Sequence, residues 1–167
     1  LNLKIKSRVL EVGPGEGQLL SELSAKFKNL VALDNSQEML EKCKNTISLT
    51  GRKGVEFILG DTSTALNNNI VSDLVIFNMV LHHIPTPAKM FRDAYSLLSV
   101  GGNLLIVDLC SHDQDWVRNS CGDLWLGFEE VDLNHWAKKA KLVAGQSAYL
   151  ALRNGFQIQM RVFRKNI

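Results

Sequence analysis

A mostly parallel α/β sheet with helices on both faces and an antiparallel C-terminal strand is the fold this sequence predicts. Three observations point to it. Short apolar runs alternate with helical patterns along the chain, as in a parallel sheet covered on both sides. A glycine loop, EVGPGEG at 11–17, joins the first run to the first helix. Near the end, AYLALR and FQIQMRVF flank Asn154-Gly155, the strongest short-range hairpin signal, so the last strand should run against the others.

Taken in order, Arg8–Gly13 is the first strand, and Leu19, Leu20, Leu23 and Phe27 share one face of the first helix. Leu30–Asp34 is the second strand. Ser36 caps the next helix, whose buried stripe is Met39, Leu40, Cys43 and Ile47. Val55–Leu59 and Leu74–Phe77 are continuous apolar runs, expected as strands buried on both faces. Thr86-Pro87 supplies the N-cap and N1 of the fourth helix, with Met90, Phe91, Ala94, Leu97 and Leu98 inward. Gly101-Gly102 ends that helix and feeds a fifth strand, NLLIVDL. Residues 110–128 read as irregular, and Glu129–Leu142 as a further helix before the hairpin.

At 167 residues the chain is expected to be one domain, 1–167, and 46% hydrophobic residues suit a soluble core. A net charge of +2 is too small to argue for direct nucleic-acid binding, and Arg161, Arg164 and Lys165 are expected on a solvated edge. No signal peptide and no apolar run of about 18 residues is present, so no membrane partner is expected. Three widely spaced cysteines, Cys43, Cys110 and Cys121, suggest reduced thiols and a cytoplasmic location. Only seven residues precede the first strand, and the chain is expected to be a domain cut from a longer protein.

The glycine loop carries the first chemistry. Gly13, Gly15 and Gly17 let a ligand approach the backbone, and the helix start behind them offers unpaired N–H groups. Asp34, with Asn35 beside it, closes the second strand, where a carboxylate can accept from both hydroxyls of a ribose. A nucleoside-containing cofactor at the carboxyl edge of the sheet follows. The dinucleotide fingerprint wants a sixth-place glycine, and that place is Gln18. Instead the loop, with Glu11 two residues before its first glycine, resembles motif I of class I S-adenosylmethionine-dependent methyltransferases. Gly60-Asp61 after the third strand, NMVLHHI at 78–84 after the fourth, and the hairpin tail fall in the same order.

That resemblance implies a Rossmann-like sandwich with a seven-stranded sheet, and S-adenosylmethionine as cofactor. It places the glycines on the methionine portion, Glu11 on the ammonium group, and Asp61, beside Thr62, on the adenine amino group. Asn78 would lie along the methionyl chain. Pro14 departs from the Cys or Ala common between the first two glycines, removing one N–H and stiffening the loop. Two further segments, DLCSHDQDWVRNSCGDLWLGF at 108–128 and GQSAYLALRNGFQIQ at 145–159, resemble bacterial methyltransferase domains fused behind an ArsR-type winged helix. An attached DNA-binding module is the partner this implies, and a homodimer is compatible with it.

Methyl transfer from a sulfonium leaves a neutral thioether, so alignment of the acceptor dominates and a base matters only if the acceptor loses a proton. His82, beyond the fourth strand, and His112, beyond the fifth, are the candidate catalytic residues. For His82 a helix-cap or packing role stays equally open. His112 stands with Asp113, Trp116, Arg118 and Cys121 at the other edge of the expected acceptor site. That set has no standard metal-ligand spacing, and no metal is expected. The function expected is methyl transfer to a small-molecule acceptor, the alternative being a non-catalytic domain that senses the cofactor or its demethylated product.

Overall fold

The computed structural model describes residues 3–166. Its seven-stranded sheet follows the expected plan, built from β1 (Arg8–Val12), β2 (Asn29–Asp34), β3 (Val55–Leu59), β4 (Ser72–Asn78), β5 (Leu98–Leu109), β6 (Leu142–Ala151) and β7 (Gln157–Lys165). The spatial order is β3-β2-β1-β4-β5-β7-β6. β1 to β5 pair in parallel, while β7 runs antiparallel between β5 and β6. Among the described residues six α-helices flank it: α1 (Gln18–Leu23), α2 (Gln37–Leu49), α3 (Thr62–Asn67), α4 (Pro87–Leu97), α5 (Trp116–Cys121) and α6 (Glu130–Lys139). Among the described residues no helix is long and apolar enough to cross a membrane.

Strand parity divides the core in two. Val9, Leu30, Ala32, Leu74 and Ile76 meet Leu20, Leu40, Cys43 and Ile47 of α1 and α2. Their alternate neighbours, Leu10, Val31, Leu33, Val75 and Phe77, meet Phe91, Ala94 and Leu97 of α4 and Leu133 and Ala137 of α6. Ser36 caps α2 as expected, its hydroxyl accepting from the Met39 N–H at 3.3 Å. Thr86 stands at the N-cap of α4 without a side-chain cap bond, so Pro87 at N1 carries that start.

Several elements depart from the sequence expectation. β3 is an edge strand, and Glu56 and Leu59 on it are exposed rather than buried. α1 ends at Leu23, where a turn through Ser24 to Lys26 leaves Phe27 packing from outside the helix. α6 ends at Lys139; Lys141 takes a left-handed conformation, and Leu142 opens β6 six residues before the expected start at Ala148. Of the three basic residues of β7 only Arg164 is exposed, because β6 takes the edge of the sheet. Arg161 is buried, donating to Glu130 at 2.8 Å, and Lys165 donates to the Tyr95 and Leu98 carbonyls.

Residues 110–128 are not wholly irregular. They form a strap containing α5, and a bridge between Cys110 and Phe128 returns the strap to its root. Gly127 closes it at φ +72, and a Cβ there would strike the Cys110 carbonyl oxygen. We therefore expect Gly127→Ala to lower stability by about 3 kcal/mol or more in urea unfolding, since left-handed strain and a backbone clash coincide.

Candidate active site at the carboxyl edge of the sheet

The parallel strands deliver their ends to one edge, and parity selects which side chains meet there. Glu11 lies beside Ala32 and Ile76 in the ladder. It therefore shares the α1–α2 face, as do Asp34, two residues beyond Ala32, and Asn78, two beyond Ile76. The glycine loop runs between them. Gly13 sits under Val80, whose Cγ2 would be 2.6 Å from an added Cβ, and Gly17 sits on Cys43 Sγ at 2.7 Å. Both have positive φ, so they are glycine for packing as well as conformation. Gly15, also at positive φ, faces open space. The backbone N–H groups of Gly15 and Glu16 make no hydrogen bond among the described residues.

Glu11 is the electrostatic oddity of this edge. It is 1% exposed, its Oε2 has no hydrogen-bond partner among the described residues, and burial pushes its pKa up to about 7. Asp34 is half-buried at the strand end, where Oδ1 accepts from the Ser36 N–H at 2.9 Å; Asn35 is exposed beside it. Asp61 caps α3, accepting from the Thr64 N–H at 3.0 Å, and that bond holds its carboxyl below the usual range. Thr62 is turned inward, its hydroxyl donating to the buried Asp93 of α4, so only its backbone is available at the edge.

After Asn78 the chain crosses the edge. Met79 adopts φ +52, a left-handed conformation that costs a non-glycine residue of order 1 kcal/mol, and the 3₁₀ turn Leu81–His83 follows on the other side. His82 is buried there, away from Glu11 and Asp34. Its Nδ1 is 2.7 Å from Asp108 Oδ1. Asp108 is fully buried and also accepts from the Leu81 and Leu109 N–H groups, so its charge is well solvated by donors. Burial disfavours the His82 imidazolium, but Asp108 and then Asp123 raise its pKa on balance.

His112 occupies a third apolar cluster, formed with Leu109, Val117, Phe156 and Met79 around the strap and hairpin. Leu109 has the parity of Leu105, so this cluster extends the α1–α2 face. His112 Nδ1 accepts from the Gln114 N–H at 3.3 Å, leaving Nε2 as the protonated nitrogen, buried and without a partner among the described residues. The structure thus separates the two candidate histidines, placing His112 on the side of Glu11 and Asp34, and His82 behind it.

A family model described as "Methyltransferase domain" matches residues 3–154, nearly the whole chain. The chain belongs to the methyltransferase domain family. The rice chloroplastic 2-methyl-6-phytyl-1,4-hydroquinone methyltransferase 2 is 28% identical over 138 residues, covering 81% of this chain and 38% of the relative. The tRNA 5-carboxymethoxyuridine methyltransferase of Escherichia coli strain K12 is 27% identical over 111 residues, covering 64% and 42%. This methyltransferase domain therefore spans about two-fifths of the length of these relatives. A solved Bacillus halodurans C-125 structure, 18% identical, superposes with a TM-score of 0.87 over 99% of this chain and 95% of its own.

The family implies S-adenosylmethionine as methyl donor, and the edge residues fit one. An orphaned buried carboxyl faces a loop with free N–H groups and one glycine open to space, as an amino-acid head with an ammonium and a carboxylate requires. Two functional candidates in this methyltransferase domain escape a reading of the sequence, Asp108 and Asp123. Only the parity of β5 and the fold-back of the strap bring them to His82, and no local spacing encodes either.

Proposed function

We propose that this domain transfers a methyl group from S-adenosylmethionine to a small-molecule acceptor. One observation carries the proposal: Glu11, Asp34 and Asn78 share the face of the sheet on which the glycine loop opens. The donor supplies, when bound, an electrophilic methyl on a sulfonium. The Glu11 carboxylate holds the ammonium, the Gly15 and Glu16 N–H groups hold the carboxylate, Asp34 holds the ribose, and Asp61 stands for the adenine edge. Gly13, Gly17, Asn35 and the Thr62 backbone complete the cradle. His112 is the acceptor-side group, its buried Nε2–H placed to orient an acceptor heteroatom within the cluster of Met79, Leu109, Val117 and Phe156. That apolar lining and the small net charge favour a small, partly apolar acceptor, the class named for the hydroquinone methyltransferase. An attached winged-helix module, a homodimer and a cytoplasmic setting belong to the same proposal. They rest on the resemblance of 108–128 and 145–159 and on three free cysteines.

Calorimetric titration with S-adenosylmethionine and S-adenosylhomocysteine at pH 7, in two buffers of different ionisation enthalpy, tests the donor site. The expected result is binding of both, with release of about half a proton, because a Glu11 carboxyl titrating near 7 ionises against the ammonium. Methyl-labelled donor offered to a panel of phenols, amines and thiols, and separately to bulk tRNA, should label the small molecules. Label only in tRNA overturns the acceptor class, binding without any transfer selects the sensor function, and binding of NADH instead overturns the cofactor.

A further inference from the structure

We propose that His82, His83 and Asp123 form a site for one divalent transition-metal ion of the zinc class, clamping the 110–128 strap to the 3₁₀ turn. A ligand atom from each lies within 4.8 Å of the other two. His82 Nε2 is 3.8 Å and His83 Nδ1 3.7 Å from Asp123 Oδ1; His83 Nδ1 also lies 3.3 Å from the Gly122 carbonyl, so a metal bound there displaces that contact and moves the His83 proton to Nε2. The two separations from Asp123 are too long for hydrogen bonds. They lie a few tenths of an ångström beyond the roughly 3.4 Å between two donors on one tetrahedral zinc.

The independent observation is Asp123 itself. It is 5% exposed, yet its Oδ1 has no hydrogen-bond partner among the described residues while aimed between two imidazoles. A buried carboxylate oxygen left unpaired is costly, and a cation shared with both rings satisfies it. The surroundings are those of a ligand set. Asp108 takes the His82 Nδ1–H, which turns the Nε2 lone pair toward Asp123, as outer carboxylates do for metal-bound histidines. The His82 carbonyl accepts from the Leu124 and Trp125 N–H groups, and Trp125 Nε1–H donates to the Ile84 carbonyl, so both segments are fixed around the gap.

Two imidazoles and one carboxylate suit zinc, cobalt or nickel, whereas magnesium and calcium want oxygen throughout. The partly exposed His83 ring leaves an entry path and a fourth position for water. This cluster lies on the face opposite Glu11 and Asp34, so its metal does not depend on the methyl-transfer proposal.

Zinc titrated calorimetrically into the chelator-stripped chain, with cobalt followed by its visible absorption, provides the test. One equivalent should bind, and His83→Gln and Asp123→Asn should each weaken binding more than about a hundredfold, beyond the usual cost of losing an outer-shell partner. The exposure of His83 keeps the fold intact in His83→Gln, which circular dichroism verifies; if Asp123→Asn unfolds, His83→Gln decides. Bound zinc should slow tryptic cleavage at the exposed Arg118 several-fold in the wild type and not in His83→Gln. No stoichiometric binding by the wild type, or binding that His83→Gln retains, overturns the proposal.

Discussion

Replacing Glu11 with glutamine makes the unliganded domain more stable above pH 7, by about 3 kcal/mol, while greatly weakening its hold on the methyl donor. The folded-state pKa near 7 stands above the ordinary carboxyl value of 4.5 because burial disfavours the charged form. Between those two values the unfolded chain has lost the proton and the folded chain has kept it, so stability falls as pH rises through the window. Above about 7 both states are ionised and the penalty is complete, at about 1.4 kcal/mol for each tenfold difference in proton affinity between them. Glutamine removes it. Urea unfolding of wild type and Glu11→Gln should therefore agree near pH 4.5 and diverge steadily to pH 8. In the same variant, donor affinity should fall roughly 10- to 100-fold, the worth of one charge-assisted hydrogen bond, and the proton release on binding should vanish. A stability difference that does not change with pH would overturn the assignment of Glu11 as the uncompensated charge.

The buried, unpartnered Glu11 carboxyl argues for a ligand at this edge more firmly than the glycines do. Glycine at positive φ is explained at Gly13 and Gly17 by packing against Val80 and Cys43. A carboxyl in a strand interior, 1% exposed and with an unpartnered oxygen, has no packing explanation. Cys43, close by, shows the contrast: burial pushes its thiol up to about 11, so it stays neutral and simply fills space under the loop. The fold itself names no acceptor. What bears on the acceptor is the strap, whose apolar cluster and His112 lie on the side of Glu11 and Asp34, and whose root depends on Gly127.

The strands, most helices and the glycine loop were legible because each depends on local pattern. The run before the loop, the acid at Asp34 and the Asn154-Gly155 turn are statements about a few adjacent residues. Elements that depend on strand order were not legible. Val55–Leu59 reads as fully buried, and nothing within it says that β3 lies at the edge with Leu59 exposed. Arg161 reads as solvated, yet β6 and α6 cover it and supply Glu130 as its partner. The split between His82 and His112 has the same origin. Both follow strand ends, but left-handed Met79 carries one to the far face while the strap keeps the other on the face of Glu11 and Asp34. Asp108 and Asp123 could be found only through the contact they make in space.

Asp34→Ala should be the most damaging single change to donor binding, roughly a hundred- to thousandfold in affinity for both S-adenosylmethionine and S-adenosylhomocysteine. A ribose offers two hydroxyls to one carboxylate, and each hydrogen bond to a charged group is worth about 1.5–3 kcal/mol. The loss in unfolding free energy should be far smaller, about 1 kcal/mol, because among the described residues the Asp34 side chain makes one hydrogen bond, from the Ser36 N–H, and Ser36 still caps α2 through Met39. Asp34→Asn keeps an acceptor oxygen without the charge and should fall between wild type and alanine. The pairing of these results is diagnostic. A residue that merely starts α2 would change stability and leave affinity alone. A ribose-binding carboxylate does the reverse, and it leaves the pH dependence contributed by Glu11 intact, since burial alone raises the Glu11 pKa. Equal loss of stability and affinity in Asp34→Ala, with no difference between Ala and Asn, would remove Asp34 from the site.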